Sequence, residues 1–193
     1  MKSTLRAAGA GGTVGIGVGV AVDGDSCYNG ADDNASGVSA VLQIARAVKA
    51  TGEKPERGII FAFWDGEEMG LLGSRHFVEN CSFLSDISAY MNFDMIGRGP
   101  VDNPKHLTYF YTASHPVFGD WLKEDMAVRH FSFVPDYRAW ENPTGGSDNA
   151  YFAKNGIPVL LIAGGKDLSV PFEENGKKML DHYRNAGGDI TFY

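Results

Sequence analysis

Four acidic residues stand where apolar stretches of this chain give way to loops. Asp33 lies in "NGADDNASG", just before an apolar-periodic run, and Asp94 follows an apolar stretch in "MNFDMIG". Glu67 and Glu68 follow another apolar stretch in "WDGEEMG". Carboxylates that converge on one crevice repel one another unless a cation or shared protons compensate. A metal site therefore explains the set, with one glutamate as a ligand and its neighbour taking a proton from an activated water.

Each acid also has a simpler explanation when it is considered alone. Asp33 could cap the helix that follows, which is worth about 1 kcal/mol. Glu67 and Glu68 could be first-turn acids that the helix dipole favours. Asp94 is harder to explain as solvated surface, because it follows an apolar strand and precedes Met95 and Ile96.

Hydrophobic periodicity predicts alternating strands and helices around these acids. We predict helices over 36–52, 69–80, 115–128, 147–156 and 172–188, and strands over 58–64, 87–93, 107–113 and 157–164. This order indicates a three-layer α/β fold with a mostly parallel sheet and helices on both faces. In such a sheet functional groups gather at the carboxyl ends of the strands. We expect one domain over 1–193, with an atypical glycine-rich start (1–24) and an atypical tail (161–193).

Composition narrows the class of protein. The chain has 193 residues with 44% apolar content, enough for one sizeable core. Its net charge of -7 argues against a nucleic-acid partner, which needs clustered Lys and Arg. The uncharged run after Lys2 and Arg6 favours a secreted or periplasmic location only weakly and is too glycine-rich to span a membrane. Cys27 and Cys81 are expected as buried thiols, or as a disulfide in an oxidising compartment.

Four motifs together resemble the M28 zinc aminopeptidases over roughly residues 25–160. They are "YNGADDNASGVSAVLQIARAV", "RGIIFAFWDGEEMGLLGSRHFV", "ISAYMNFDMIGR" and "GGSDNAYFAKNGIP". The resemblance implies an α/β domain with two zinc ions that removes N-terminal residues from peptides with a free N-terminus. It implies that Asp33 bridges the metals and that Glu67 is the general base. Glu68 and Asp94 would each bind one metal, with Asp32 as a neighbour that shapes the loop.

Residues near the fourth motif are candidates for substrate binding. Ser147 and Asp148 match a family motif near the site, in which the next residue is often His but here is Asn149. Tyr137 and Trp140 belong to an aromatic-rich stretch that precedes this motif. They could line a substrate pocket or pack as a loop against the core.

The sequence departs from the family in its histidines. Family members carry one histidine ligand per metal, yet no histidine precedes His76, and the expected place of the first ligand reads "GAGGTVGIGVGV". His182 is the histidine nearest the expected second position, without the family's local pattern. Sites made of carboxylate oxygens alone favour Mg, Ca or Mn over zinc. An inactive or binding relative of the same fold is therefore the alternative to an active peptidase. A truncated, fused or misassembled gene would also explain the departures from the family pattern.

The tail has a second resemblance. "GGKDLSVPFEEN" resembles the acid loop of α/β-hydrolases and would make Asp167 a triad aspartate. A serine hydrolase also needs a Gly-x-Ser-x-Gly nucleophile elbow, and the nearest sequence, "GGSDN", lacks the final glycine. We therefore reject a serine hydrolase for the chain as a whole.

Overall fold

The structure is a computed structural model that describes residues 30–97, 99–100 and 102–164. Its helices are α1 (Ala35–Thr51), α2 (Leu72–Asn80), α3 (Val117–Arg129) and α4 (Asn149–Lys154), with a short 3-10 helix over Leu84–Asp86. Its strands are β1 (Tyr90–Asp94), β2 (His106–Thr112), β3 (Val134–Trp140) and β4 (Val159–Ala163).

The four strands form one mixed sheet in the order β1-β4-β2-β3. β1 runs parallel to β4, and β2 runs parallel to β3, whereas the central β4–β2 pairing is antiparallel. Ala163 therefore pairs with Asp94 on one side and with Thr108, near the start of β2, on the other. The carboxyl ends of β1 and β4 consequently lie at the edge where β2 and β3 begin.

Helices cover both faces of this sheet. The Phe152 ring of α4 stacks on Tyr90 of β1, with 3.9 Å between the ring centroids. On α3, a Cβ at Gly119 would lie 2.8 Å from the Tyr111 ring of β2. The register aligns Tyr90 with Val159 and Tyr111 with Leu160, so the two tyrosines point to opposite faces because neighbouring strand residues alternate. The predicted α/β fold is thus confirmed.

The core lies around the central strand β4. Its residues Val159, Leu160 and Leu161 are almost completely buried, as expected for an uninterrupted apolar strand that is covered on both faces. Phe152 of α4 and Val78 of α2 pack against the same core, so these two helices cover the face on which the carboxylates lie.

The apolar stretch 58–64, predicted to be a strand, does not join this sheet. Residues 58–60 are exposed and no backbone hydrogen bond joins the stretch to any described strand. Only its end is well packed, where Trp64 contacts Phe77 and Phe152. Apolar composition favours burial, but a strand also needs a partner for its N–H and C=O groups.

Other predicted elements are present with ends shifted by a few residues, and β3 lies in the aromatic-rich stretch for which the sequence predicts no strand. No helix in the described part combines the length and apolarity needed to cross a membrane. Cys81 is a free, half-buried thiol. The predicted helix 172–188, Asp167, His182, Cys27 and the glycine-rich start lie outside the described residues.

Candidate active site

The start of α1 is fastened to the end of β1 by Asn34. Its side-chain Oδ1 accepts hydrogen bonds from the backbone N–H of Gly37 (3.0 Å) and of Met95 (3.2 Å), and its Nδ2 donates to the Phe93 carbonyl (2.9 Å). Asn34 is therefore the N-cap of α1. The capping explanation for Asp33 is wrong, so that carboxylate is available for another role.

Glycine is required at position 37 by this close approach. A Cβ there would overlap the Phe93 carbonyl oxygen and the Asn34 side chain. The first turn of α1 can therefore contact the backbone of β1 only if position 37 has no side chain. This contact keeps Asp33, just before α1, near Asp94 at the end of β1.

Asp32 and Ser36 make a second tie between the same two segments. The Asp32 carboxylate accepts a hydrogen bond from the Gly97 N–H at 2.7 Å. The Ser36 hydroxyl donates to the Asp32 carbonyl (2.7 Å) and accepts from the Ile96 N–H (3.1 Å). The loop before α1 and the loop after β1 are thus held together by polar contacts of fixed geometry.

A tight turn before α2 carries the glutamate pair. The Glu67 carbonyl accepts from the N–H groups of Gly70 (3.0 Å) and Leu71 (2.8 Å). α2 begins only at Leu72 and has no acid in its first turn, so the first-turn explanation for Glu67 and Glu68 is wrong.

Glycine at position 73 allows α2 to begin directly against this turn. The Gly73 N–H donates to the Asp65 carbonyl at 2.9 Å, and a Cβ at position 73 would lie 2.7 Å from the Asp65 nitrogen. Any larger residue would push the helix away from the turn that carries the glutamates.

The predicted carboxylates are close enough to perturb one another. Burial is the main cause that raises the pKa of Glu67 to about 8, followed by the charges of Glu68, Asp94, Asp148 and Asp33. Glu68 is more exposed, yet partial burial, a hydrogen bond with Asp33 and the charges of Asp33 and Asp94 raise its pKa to about 7. The structure therefore brings these acids into one cluster, which we call the carboxylate cluster (Asp33, Glu67, Glu68, Asp94 and Asp148).

Asp94 is a half-buried member of this cluster and Ser147 is almost completely buried. Burial raises the pKa of Asp94, a hydrogen bond with Ser147 lowers it, and the charges of Asp33 and Asp32 raise it. The Ser147 hydroxyl also accepts a hydrogen bond from Asn92 Nδ2 at 2.9 Å. Ser147 is thus a neighbour of a candidate ligand, a role that its sequence motif alone did not specify.

Asp148, a member of the cluster, and its neighbour Asn149 lie at the start of α4. Asp148 is 8% exposed, and its Oδ1 has no hydrogen-bond partner in the described part of the chain. Burial raises its pKa to about 6, a hydrogen bond with Ser74 lowers it, and the charge of Asp94 raises it. Asn149 Nδ2 donates to the carbonyls of Pro143 (2.8 Å) and Gly145 (3.0 Å), so this side chain holds the preceding loop.

Tyr137 and Trp140 are not brought to the carboxylate cluster. Tyr137 stacks on Tyr109 on the α3 face of the sheet and lines an open apolar pocket with Phe131. Trp140 ends β3 beside Thr112. Because β2 and β3 run opposite to β1, this end lies at the edge of the sheet away from the cluster.

The contacts of the described histidines are made with residues outside the carboxylate cluster. His76 is hydrogen-bonded to Asn80, and His115 to Ser114. His106 Nε2 lies 3.6 Å from an Asp136 oxygen, and His130 ends α3.

The side chains of the carboxylate cluster can be compared with the ligands that zinc prefers, which are nitrogen and sulfur atoms. Within the described ranges no group of three or more His, Cys, Asp or Glu side chains is arranged to hold a metal ion. The orphaned Asp148 oxygen and the mutual repulsion of the cluster suit a nearby cation. Asp33, Glu68 and Asp94 thus offer carboxylate oxygens within one cluster, but the described structure does not arrange them as a metal site, and the described residues add no nitrogen ligand.

The comparison with known families identifies the family of this chain. The sequence profile of peptidase family M28 matches residues 13–188. The chain belongs to this family. The M28 match includes every member of the carboxylate cluster.

Several similar proteins are named as aminopeptidases. This M28 chain is 38% identical over 149 residues to leupeptin-inactivating enzyme 1 of Streptomyces exfoliatus, covering 75% of the chain and 32% of that enzyme. It is 35% identical over 163 residues to an aminopeptidase of Pseudomonas aeruginosa, covering 80% of the chain and 29% of that protein. The chain therefore spans about a third of the length of these curated relatives.

Solved structures show the same fold. Two structures of the LapA aminopeptidase of Legionella pneumophila align with TM-scores of 0.61 and 0.60, at 24% and 25% sequence identity. The alignments cover 81% and 77% of this chain, and 43% and 40% of the LapA chains. The mixed sheet and its helices therefore have the same fold as the matching part of the LapA structures.

Proposed function

We propose that this chain carries the active centre of a metal-dependent aminopeptidase that acts on peptides with a free N-terminus. The carboxylate cluster, formed where the start of α1 and the turn before α2 meet the end of β1, is the observation on which the proposal mainly rests. Membership of family M28 and the names of its relatives support the same reaction class.

The proposed metal ligands are three carboxylates. Asp33 would bridge two zinc ions, while Glu68 and Asp94 would each contribute oxygens to one of them. Bound zinc would supply Lewis-acid chemistry at the scissile carbonyl and at the attacking water. The nitrogen ligands that zinc prefers must come from outside the described residues, where His182 is the chain's candidate.

Glu67 is the proposed general base. Its half-buried side chain belongs to the turn before α2, whose hydrogen bonds and close approach to Gly73 hold it against the other acids. A carboxylate in this position can take a proton from the attacking water and pass it to the departing amine. Its neighbour Glu68 then serves as the ligand, which gives the adjacent glutamates separate roles.

The substrate would meet this chain at the carboxylate cluster. Ser147 and Asp148 are buried beside Asp94 and Glu67, so we assign them support of the cluster rather than contact with a substrate side chain. Tyr137 lies on the other face of the sheet, and Trp140 lies at its other edge. We therefore assign neither residue a contact with the peptide bond that is cleaved.

Hydrolysis of an aminoacyl-nitroanilide by the zinc-supplemented protein tests this function. We expect Glu67→Gln to lower kcat by about 100-fold or more, because a positioned general base contributes roughly 10²–10⁴-fold. The matched control is Glu79→Gln, an exposed glutamate on α2 that pairs with Arg75. Equal activity of wild type and Glu67→Gln would contradict the mechanism.

A catalytically impaired or binding relative of the same fold is the second candidate. The lack of a nitrogen ligand among the described residues favours it. Elemental analysis of chelator-washed and then zinc-reconstituted protein separates the two candidates. Zinc retained at about one equivalent or more per chain would contradict the second candidate. Retention of less than about one-tenth of an equivalent of zinc would support it.

A further inference from the structure

An aspartate–glycine pair stands just before the adjacent glutamates, and its aspartate side chain lies against its own backbone. The Asp65 Oδ1 atom accepts a hydrogen bond from the Gly66 N–H at 2.9 Å. This contact folds the carboxyl group back over the peptide bond that joins the two residues. Asp65 is exposed, so water reaches the carboxyl group. The pair therefore has an arrangement in which the backbone nitrogen of Gly66 can attack the side-chain carboxyl carbon after a rotation about the Cβ–Cγ bond.

Glycine at position 66 leaves the attacking nitrogen unhindered. Its φ is +66°, in the left-handed region that favours glycine, and it has no Cβ to shield the nitrogen. The orientation of Gly66 is fixed from its other side, because its carbonyl accepts hydrogen bonds from the N–H groups of Met69 (3.3 Å) and Leu72 (3.1 Å). Two reacting groups that are already held together avoid the entropy loss of being brought together during the reaction.

We propose that Asp65 is a site of spontaneous isomerisation to isoaspartate, through a succinimide ring closed with Gly66. The Gly66 nitrogen loses its proton and forms a bond to Asp65 Cγ, while the hydroxyl of the protonated carboxyl group leaves as water. A water molecule then opens the ring. Attack at Cγ breaks the new bond and restores aspartate, whereas attack at the former main-chain carbonyl carbon breaks the original peptide bond and leaves isoaspartate. The water lost is regained, so the product has the mass and the carboxylate of the original residue.

Isoaspartate would disturb the turn that carries Glu67 and Glu68. The main chain would run through Cβ and Cγ of residue 65 and would be longer by one carbon. The Gly73 N–H donates to the Asp65 carbonyl at 2.9 Å, and a Cβ at position 73 would lie only 2.7 Å from the Asp65 nitrogen and 2.8 Å from its carbonyl oxygen. This close packing leaves no room for a longer chain. The effect on catalysis rests on the proposed function, whereas the isomerisation does not.

The first experiment measures isoaspartate without any assay of function. The protein is incubated with chelator at about pH 5, where a minority of ordinary aspartate carboxyl groups is protonated. Digestion with trypsin after Arg57 and Arg75 releases residues 58–75, in which Asp65 is the only aspartate, and electron-transfer fragmentation distinguishes the two isomers. We expect the folded protein to form isoaspartate at no less than about one-tenth of the rate in the free synthetic peptide 58–75, because positioning offsets the loss of flexibility. A slower rate would overturn the proposal.

Asp86 is the matched control within the same sample. It is exposed like Asp65, but the N–H of the next residue, Ile87, donates to the Leu84 carbonyl at 3.1 Å rather than to the aspartate side chain. Ile87 also carries a β-branched side chain beside its nitrogen. We expect isoaspartate at Asp86 to stay at least about tenfold below that at Asp65. Equal accumulation at the two aspartates would mean that the turn geometry has no role, and would overturn the proposal.

The second experiment tests the consequence for the glutamates. Wild type and Asp65→Glu are aged together, and each is compared with its own fresh sample for zinc-supplemented hydrolysis of an aminoacyl-nitroanilide. Glutamate keeps the charge but would have to close a larger and less readily formed ring, so we expect this variant to keep its activity. Wild type should lose activity in proportion to its isoaspartate content.

Two outcomes would overturn the effect on the glutamates: full activity of isomerised wild type, or an equal loss on ageing in Asp65→Glu. Absence of activity in every fresh sample would refute the proposed function instead. The first experiment would still decide the isomerisation at Asp65, because it measures only the chemical state of that residue.

Discussion

The region formed by α3, β3 and the segment between them, which we call the α3–β3 surface, includes Lys123, Phe131, Asp136, Tyr137 and Arg138. This surface and the carboxylate cluster both carry residues that the sequence marked as candidates, but they hold them differently. At the cluster, Asn34 and Asp32 make hydrogen bonds to segments some sixty residues away in the chain. At the α3–β3 surface, Phe131 is 49% exposed, and Arg138 pairs with Asp136 only two residues away. Long-range polar contacts therefore hold the segments that carry the acids together, whereas Arg138 at the α3–β3 surface is held by a local contact.

Replacing one aspartate in each region should give the largest difference in peptidase activity between the two regions. Asp94 and Asp136 lie on the two outer strands of the sheet in the same cross-strand row, through Ala163 and Thr108. We expect Asp94→Ala to lower kcat/KM on an aminoacyl-nitroanilide by at least about 100-fold, since even indirect neighbours of metal ligands cost 10- to 100-fold. Asp136→Ala should stay within about threefold of the wild type, an effect of under 1 kcal/mol. Similar losses in both variants would remove the functional distinction between the two regions.

Substitution of two glycines by alanine should change the free energy of unfolding by different amounts. Gly37→Ala should lower the free energy of unfolding by about 1–3 kcal/mol, because the new methyl group overlaps the backbone of β1. Gly58→Ala is the control, since a Cβ at position 58 would meet no atom within 4 Å. Denaturant unfolding measures both. A neutral Gly37→Ala would mean that the contact between α1 and β1 does not hold the cluster together.

The pH dependence of stability should also distinguish the cluster. Burial and neighbouring acids raise the pKa of Glu67 from 4.5 to about 8, so the folded state retains a proton that the unfolded state has lost between these values. The contribution of Glu67 to the stability of the metal-free protein should therefore be fully present below about pH 4.5. This contribution should be lost as the pH rises toward 8. The melting temperature in chelator, followed from pH 5 to 8, should fall less steeply in Glu67→Gln. An equal slope in the variant would show that Glu67 is not buried among acids.

The smallest effect is expected at the α3–β3 surface. The Lys123 ammonium lies 5.7 Å from the centroid of the Tyr137 ring. Lys123→Met should lower the free energy of unfolding by about 1 kcal/mol or less, as for an exposed cation–π pair, and should leave kcat/KM unchanged. Peptidase assays and denaturant unfolding on the same preparation check both points. A large loss of activity would extend the functional site to this surface.

Local patterns in the sequence were sufficient for much of the fold. The continuous apolar run of β4 predicted a buried strand, and the periodic run ending at Gly52 predicted α1, because burial and helix capping depend on nearby residues. The stretch 58–64 has the same apolar character as β4, yet lacks a described partner strand. Strand pairing is a long-range property that composition does not encode.

The sequence by itself determined which side chains could do chemistry here: Asp33, the Glu67–Glu68 pair and Asp94 were identifiable from their positions beside apolar stretches. Only the tertiary structure decided that Asn34 rather than Asp33 caps α1. The tertiary structure also decided which candidates share a site. The reversal of β2 and β3 relative to β1 separates Trp140 from the acids, because parallel and antiparallel neighbours put their carboxyl ends at opposite edges of a sheet.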